Sequence, residues 1–217
     1  MENKEASNEV MKTGTTTLGI ICKDGVALAA DMRATSGNFI VTKRISKIHE
    51  IVDDMAITMA GTVSDAQLLV KLIQAELRLK DVRTNRKSNV KEAANMLAGM
   101  VYSNIRRFSV IPGISHFLLA GKDMYGFSLY DLFADGSLTK VEDFISSGSG
   151  SVFVYGVLET QYTKDITVEQ AQKLALKAVN AALQRDSASG GGIEIITITN
   201  DGLKKVFNRE VEQTVRV

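Results

Sequence analysis

The sequence predicts an α+β fold in which antiparallel sheets are covered by helices. Three observations carry that prediction. β-Branched and apolar residues gather in segments of strand length, from Thr15 to Cys22 near one end and from Glu194 to Phe207 near the other. Turn signals, Lys23-Asp24-Gly25 and Asn200-Asp201-Gly202, join neighbouring segments into hairpins. Helical periodicity comes in a block of two and then alone, so the order is strands, two helices, strands, helix, strands. Repeated βαβ units would alternate strictly instead.

Taken in order, Met1 to about Met11 is polar and without apolar periodicity, as expected of a disordered or removable leader. Thr15-Thr16-Thr17-Leu18-Gly19-Ile20-Ile21-Cys22 begins the first strand, and Val26 to Ala30 returns beside it. Further strands are expected at Lys47–Val52, Met55–Ala60, Ser115–Gly121 and Tyr125–Phe133, with a last pair at Glu194–Thr199 and Leu203–Phe207. The first helix, about Ser64 to Lys80, sets Ala66, Leu69, Val70, Ile73 and Leu77 on one face. The second starts at Asn89, where Glu92 completes a capping box, and carries Ala93, Ala94, Leu97, Val101 and Ile105. The third starts at Thr167 with Gln170 three residues on; its Ala171, Leu174, Ala178 and Ala182 make a narrow stripe suited to close packing. A shorter helix is expected around Val152–Leu158. There is no internal repeat or linker, and Pro112 is the one proline.

A length of 217 residues suits one domain with a substantial core. Apolar residues make up 45% and charged residues 24%, close to the average for soluble globular proteins. Lys and Arg total 26 against 25 for Asp and Glu, a net charge of +1, which gives no electrostatic reason to expect nucleic acid or an anionic membrane as partner. The single cysteine, Cys22, excludes an internal disulfide and a cysteine-built zinc site and fits a reducing compartment. Two histidines, His49 and His116, are too few for a histidine-rich metal centre, so no metal is expected. No apolar run approaches the roughly 20 residues of a membrane span. Met1 to Lys12 carries both signs of charge, unlike a secretory signal. The reading is a soluble, cytoplasmic protein.

Gly14-Thr15-Thr16-Thr17 reads first as a strand start whose hydroxyls pair across a sheet. A sharper reading requires cleavage after Gly14, which leaves Thr15 with a hydroxyl and a free α-amine on one residue. An N-terminal threonine whose own amine acts as base is one way to activate a weak nucleophile. The amine titrates near ~8, so a useful fraction is neutral at cytoplasmic pH. The β-branch narrows χ1 and helps to aim the hydroxyl. Asp31-Met32-Arg33 ends the second strand and, taken alone, is a surface ion pair; Lys47 alternates with Ile48 and on pattern alone is solvated. The run Ser146 to Ser151 is either a flexible loop or a set of amides and hydroxyls held against a charged group. It has neither the GKS or GKT of a P-loop nor the spacing of a nucleophile elbow. In Gln184 to Gly192, Gly190 acts as a helix stop, and the polar cluster before it is more than a stop needs. Cys22 sits in an apolar strand and reads as core; His49 is a pocket or strand-face residue, and His116 is structural.

Together these segments resemble a catalytic proteasome β subunit of the archaeal type, a member of the N-terminal-nucleophile hydrolases. The resemblance runs from Gly14-Thr15-Thr16-Thr17-Leu18-Gly19 and Ala30-Asp31-Met32-Arg33-Ala34-Thr35 through Lys47, Ala60-Gly61-Thr62 and Gly148-Ser149-Gly150. It continues through Tyr155-Gly156-Val157-Leu158 and Arg185-Asp186-Ser187-Ala188-Ser189-Gly190-Gly191. It implies a four-layer αββα sandwich of two antiparallel sheets, with residues 1–14 a leader removed by self-cleavage between Gly14 and Thr15 and residues 15–217 the hydrolase domain. It also implies roles. Thr15 attacks the scissile carbonyl, Lys47 bonded to Asp31 lowers the pKa of its hydroxyl, and Ser149, Asp186 and Ser189 orient the amine. The Gly61 N–H holds the oxyanion. Thr35, Gly61 and Val63 hold the peptide as an added strand, and Ala34, Ile45, His49, Met59 and Val63 line the pocket for the residue before the cut. That mainly apolar lining implies a preference for large hydrophobic residues there.

The implied partners are α subunits and further copies of the chain in stacked seven-membered rings, unfolded polypeptide substrates, and a separate ATP-dependent unfoldase acting through the α rings. No cofactor is implied. Three alternatives stand beside this reading: the simpler bacterial ATP-dependent relative, a non-catalytic ring subunit, and a small-amide hydrolase on the same fold. The Arg185-to-Gly191 segment weighs against the first, and the presence of Thr15, Asp31 and Lys47 together weighs against the second.

Overall fold

A computed structural model describes residues 14–211. Of the expected leader, only Gly14 falls within them. One sheet is built from β1 (Thr17–Cys22), β2 (Gly25–Asp31), β10 (Phe144–Ser147), β11 (Gly192–Thr199) and β12 (Gly202–Glu210), in the order β10-β1-β2-β11-β12. The other is β5 (Ile48–Val52), β6 (Met55–Gly61), β7 (Ser115–Asp123), β8 (Gly126–Leu132) and β9 (Leu138–Val141), side by side in chain order. All pairings are antiparallel. A small hairpin of β3 (Ala34–Ser36) and β4 (Phe39–Thr42) stands apart. Helices α1 (Val63–Thr84) and α2 (Val90–Ile105) cover the second sheet; α3 (Ser151–Gln161) and α4 (Val168–Arg185) cover the first.

Residue alternation explains the layering, because successive side chains of a strand face opposite ways. Val26, Leu28 and Ala30 of β2 join Ile196 and Ile198 of β11 and Leu118, Ala120 and Leu129 of the other sheet in a core between the sheets. Ala27 and Ala29, one residue out of phase, face α4 with Ile193 and Ile195. Strands buried on both faces read as near-continuous apolar runs, as these do. The small stripe of α4, Ala171, Ala175, Ala178 and Ala182, lets the helix sit close on β1 and β2. The expected four-layer αββα sandwich is the architecture observed.

Both capping boxes form, Asn89 with Glu92 and Thr167 with Gln170. α1 runs four residues past the expected Lys80 because nothing breaks it before Asn85, which takes the left-handed conformation at φ 51°. Lys47 lies just ahead of β5, and Tyr125 sits in the turn before β8. Four short strands, β3, β4, β9 and β10, were not expected. β10 includes Ser146 and Ser147, which become strand through pairing with β1, Ser147 opposite Thr17. Among the described residues no helix is long and apolar enough to cross a membrane.

Candidate active site

The three inner strands of the first sheet bring the reactive residues together. Thr15 stands two residues ahead of β1, Asp31 ends β2, and Ile193 of β11 pairs with Asp31. Lys47 Nζ donates to Asp31 Oδ1 at 2.5 Å and to the Thr15 hydroxyl at 3.1 Å. The Thr15 Oγ1 in turn donates to the carbonyl oxygen of Gly14, 2.7 Å away. Asp31 and Lys47 are both buried. A buried ion pair persists only where other groups satisfy it. Here Asp31 also accepts the N–H groups of Thr16 (2.9 Å), Arg33 (3.0 Å) and Gly190 (2.9 Å). Burial pushes the Lys47 ammonium below the ordinary lysine range, against the opposing pull of Asp31, Asp186 and Glu194.

A second network surrounds the Thr15 nitrogen. Its N–H donates to Ser149 Oγ at 3.3 Å, and Ser149 and Ser189 each donate to Asp186 Oδ2 at 2.6 Å. Ser189 therefore accepts from the Thr16 hydroxyl, also at 2.6 Å. Asp186 is the C-cap of α4, so the helix end presents the carboxylate that ties these hydroxyls together. All the residues expected at the Thr15 centre, Thr15, Asp31, Lys47, Ser149, Asp186 and Ser189, thus lie in two linked networks.

Two glycines fit the chain to this centre. A Cβ on Gly14 would overlap the side chain of Ala188, so only glycine fits before Thr15. Gly61, at φ 109°, ends β6 with its α-carbon against the Ile114 carbonyl, where a Cβ would collide.

A narrow cavity of about 20 Å³ opens beside Thr15, lined by Ala34, Thr35, Ile45, Met59, Gly61 and Val63, with Arg33 and Lys47 at its polar end. His49, expected in this lining, is not among the residues that form it. His49 is partly buried on β5, with Nε2 unpartnered, and burial lowers its pKa. A larger cavity, about 1330 Å³, lies at the β5–β6 and β7–β8 turns and contains none of the residues of the Thr15 centre. Chemistry, not size, selects the smaller one.

Sequence reasoning missed two contributors. Thr16 uses its amide and hydroxyl in both networks, and nothing distinguishes it from a strand threonine. Glu194 is fully buried beneath Lys47, and a charge in phase with Ile196 and Ile198 was the available signal. His116, expected to be structural, bridges the sheets, with Nδ1 2.7 Å from Ser147 Oγ and Nε2 2.5 Å from Asp131 Oδ1. Cys22 is the other conceivable nucleophile; it lies in the core, and burial followed by Asp24 pushes its thiol up to about 12. Iodoacetamide at pH 8 is expected to leave the native chain unmodified and its activity intact, as read by intact mass and a peptide assay. Alkylation with loss of activity would contradict that.

A sequence profile of the family described as proteasome subunit matches residues 11–198. A proteasome subunit beta of Archaeoglobus profundus is 43% identical over 209 residues, 96% of this chain and 95% of its own length. That of Archaeoglobus fulgidus is 41% identical over 205 residues, 94% of each chain. That of Methanocorpusculum labreanum is 44% identical over 191 residues, 88% of each. With the four-layer sandwich and the Thr15 centre beside these likenesses, the chain belongs to the proteasome subunit family, as a β subunit of the archaeal type.

Proposed function

We propose that the chain is a threonine protease that hydrolyses peptide bonds of unfolded proteins with Thr15 as nucleophile, after cutting itself between Gly14 and Thr15. One observation carries the reading: the Thr15 hydroxyl accepts from a buried lysine while lying 2.7 Å from the carbonyl oxygen of the bond to be cut. Proximity of this kind converts a bimolecular attack into an intramolecular one. In self-cleavage Oγ1 adds to the Gly14 carbonyl carbon and the C–N bond breaks. The Thr15 nitrogen takes the proton, and water hydrolyses the resulting ester. This frees residues 1–14 and leaves 15–217 as the working domain.

In the mature site Thr15 Oγ1 attacks the substrate carbonyl to give an acyl ester that water then hydrolyses. Its amine carries the proton, steadied by Ser149, Asp186 and Ser189. Lys47, held by Asp31, favours the developing alkoxide through its charge. The Gly61 N–H stabilises the oxyanion, a contribution of about 3–4 kcal/mol for a comparable donor. Thr35, Gly61 and Val63 hold the peptide by β-augmentation. No metal or organic cofactor enters these steps.

As a proteasome subunit the chain assembles with other proteasome subunits. The arrangement we propose is stacked seven-membered rings of this chain and α subunits in the cytoplasm, fed by an ATP-dependent unfoldase. The cavity proposed to take the residue before the cut is tight and mainly apolar, and Met59 in its lining is an adaptable side chain. Fluorogenic peptides with Leu or Phe before the cut are therefore expected to turn over faster than matched Asp or Glu peptides. Equal or faster turnover of the acidic ones would sink the preference.

A further inference from the structure

Glu194 is a fully buried carboxylate in a β11 segment, Ile193-Glu194-Ile195-Ile196, that is otherwise apolar. Its Oε1 accepts the backbone N–H of Lys47 at 2.6 Å and of Ile48 at 2.9 Å. The Ser46 hydroxyl lies 3.1 Å from Oε1 and 2.9 Å from Oε2, and Lys205 Nζ lies 3.1 Å from Oε2. Three successive residues are thus fastened to one side chain. From the opposite side the Lys47 carbonyl accepts the Met59 N–H at 2.8 Å, so the segment is held between β11 and β6. A lone buried carboxylate is costly, and these donors together satisfy it. No atom of Glu194 is in hydrogen-bond contact with Thr15.

We propose that Glu194 is a positioning residue for the reaction at Thr15: it fixes the Ser46–Ile48 backbone so that the Lys47 ammonium meets Thr15 Oγ1 and Asp31 together. Lysine has a long flexible stem, and the two bonds from Nζ, 3.1 and 2.5 Å, hold only while the Lys47 backbone stays in register. Edge strand β5 cannot ensure that alone, because Lys47 precedes its first residue. A displacement of about 1 Å at a group that supports the chemistry can cost on the order of 10²-fold in rate. The cavity lining does not include Glu194, so substrate binding is left to other residues. The inference rests on the reading of Thr15 as nucleophile.

The test uses the full chain assembled with its α subunit, comparing Glu194→Gln, Glu194→Ala and Thr15→Ala for leader removal and for kcat and KM per assembled particle. Gln keeps the shape and one oxygen able to accept from Lys47 and Ile48; Ala keeps neither. The expected result is an ordered fall in kcat, about 10-fold for Gln and about 10²-fold for Ala, with KM unchanged and leader removal slowed in the same order. Wild-type kcat in assembled Glu194→Ala particles would overturn the inference, as would a loss confined to KM or to the yield of particles. Gln remains decisive where Ala does not assemble: wild-type kcat and leader removal in the Gln variant overturn the inference. Full hydrolysis by Thr15→Ala would overturn the nucleophile reading itself, whereas an inactive Thr15→Ala beside a fully active Glu194→Ala removes only the positioning role.

Discussion

Thr15→Ala is expected to lower peptide hydrolysis by at least about four orders of magnitude, the scale seen when a covalent nucleophile is removed. Few other groups can replace it. Cys22 is in the core, and Ser149 and Ser189 both spend their protons on Asp186. The substitution removes little else, since Lys47 keeps its 2.5 Å bond to Asp31 and Asp31 keeps three backbone donors. Folding and assembly should therefore match wild type, so that the loss is one of chemistry. Hydrolysis of a Leu-containing fluorogenic peptide by assembled particles measures it.

Lys47→Met is expected to reduce hydrolysis about 10³-fold and, unlike Thr15→Ala, to destabilise the fold. Met matches the lysine stem but leaves the Asp31 carboxylate buried without its cation. Breaking a buried pair in this way costs about 3–5 kcal/mol. The N–H groups of Thr16, Arg33 and Gly190 remain on Asp31 and place the cost at the lower end. The rate loss follows from removing a preorganised charge next to the reacting oxygen. A double variant, Lys47→Met with Asp31→Asn, separates the two effects. It should recover none of the activity and only part of the stability, because no unpaired charge is left buried but the amide NH2 then faces a backbone N–H that the carboxylate accepted. Thermal scans and peptide assays of the single and double variants form the cycle that checks this.

Much of the scaffold was legible because its signals are local. The Ala66-to-Leu77 stripe, the Asn89 and Thr167 capping boxes and the Asp-Gly turns each specify an element from a few neighbouring residues. β10 was not legible, since Ser146 and Ser147 have no strand preference of their own and are drafted by pairing to Thr17 and Leu18. The site was legible only through resemblance. Asp31 read as a surface charge and Lys47 as solvated, yet both are buried, because their burial depends on β2, β11 and the Thr15 backbone meeting in space. Glu194 went unremarked for the same reason: the backbone N–H groups it holds stand almost 150 positions away along the chain, as the Lys47 and Ile48 bonds at separations of 147 and 146 show. His49, carried into the pocket by motif position, is not among the residues that line the small cavity.

The most direct test of the Thr15 reading is the intact mass of the full chain in particles assembled with its α subunit, measured beside Thr15→Ala. The account predicts that the wild-type chain loses the mass of residues 1–14 and begins at Thr15, while the Thr15→Ala chain keeps it. A wild-type chain that retains its leader in fully assembled particles, or a Thr15→Ala chain that loses it at the same bond and rate, would contradict Thr15 as the self-released nucleophile.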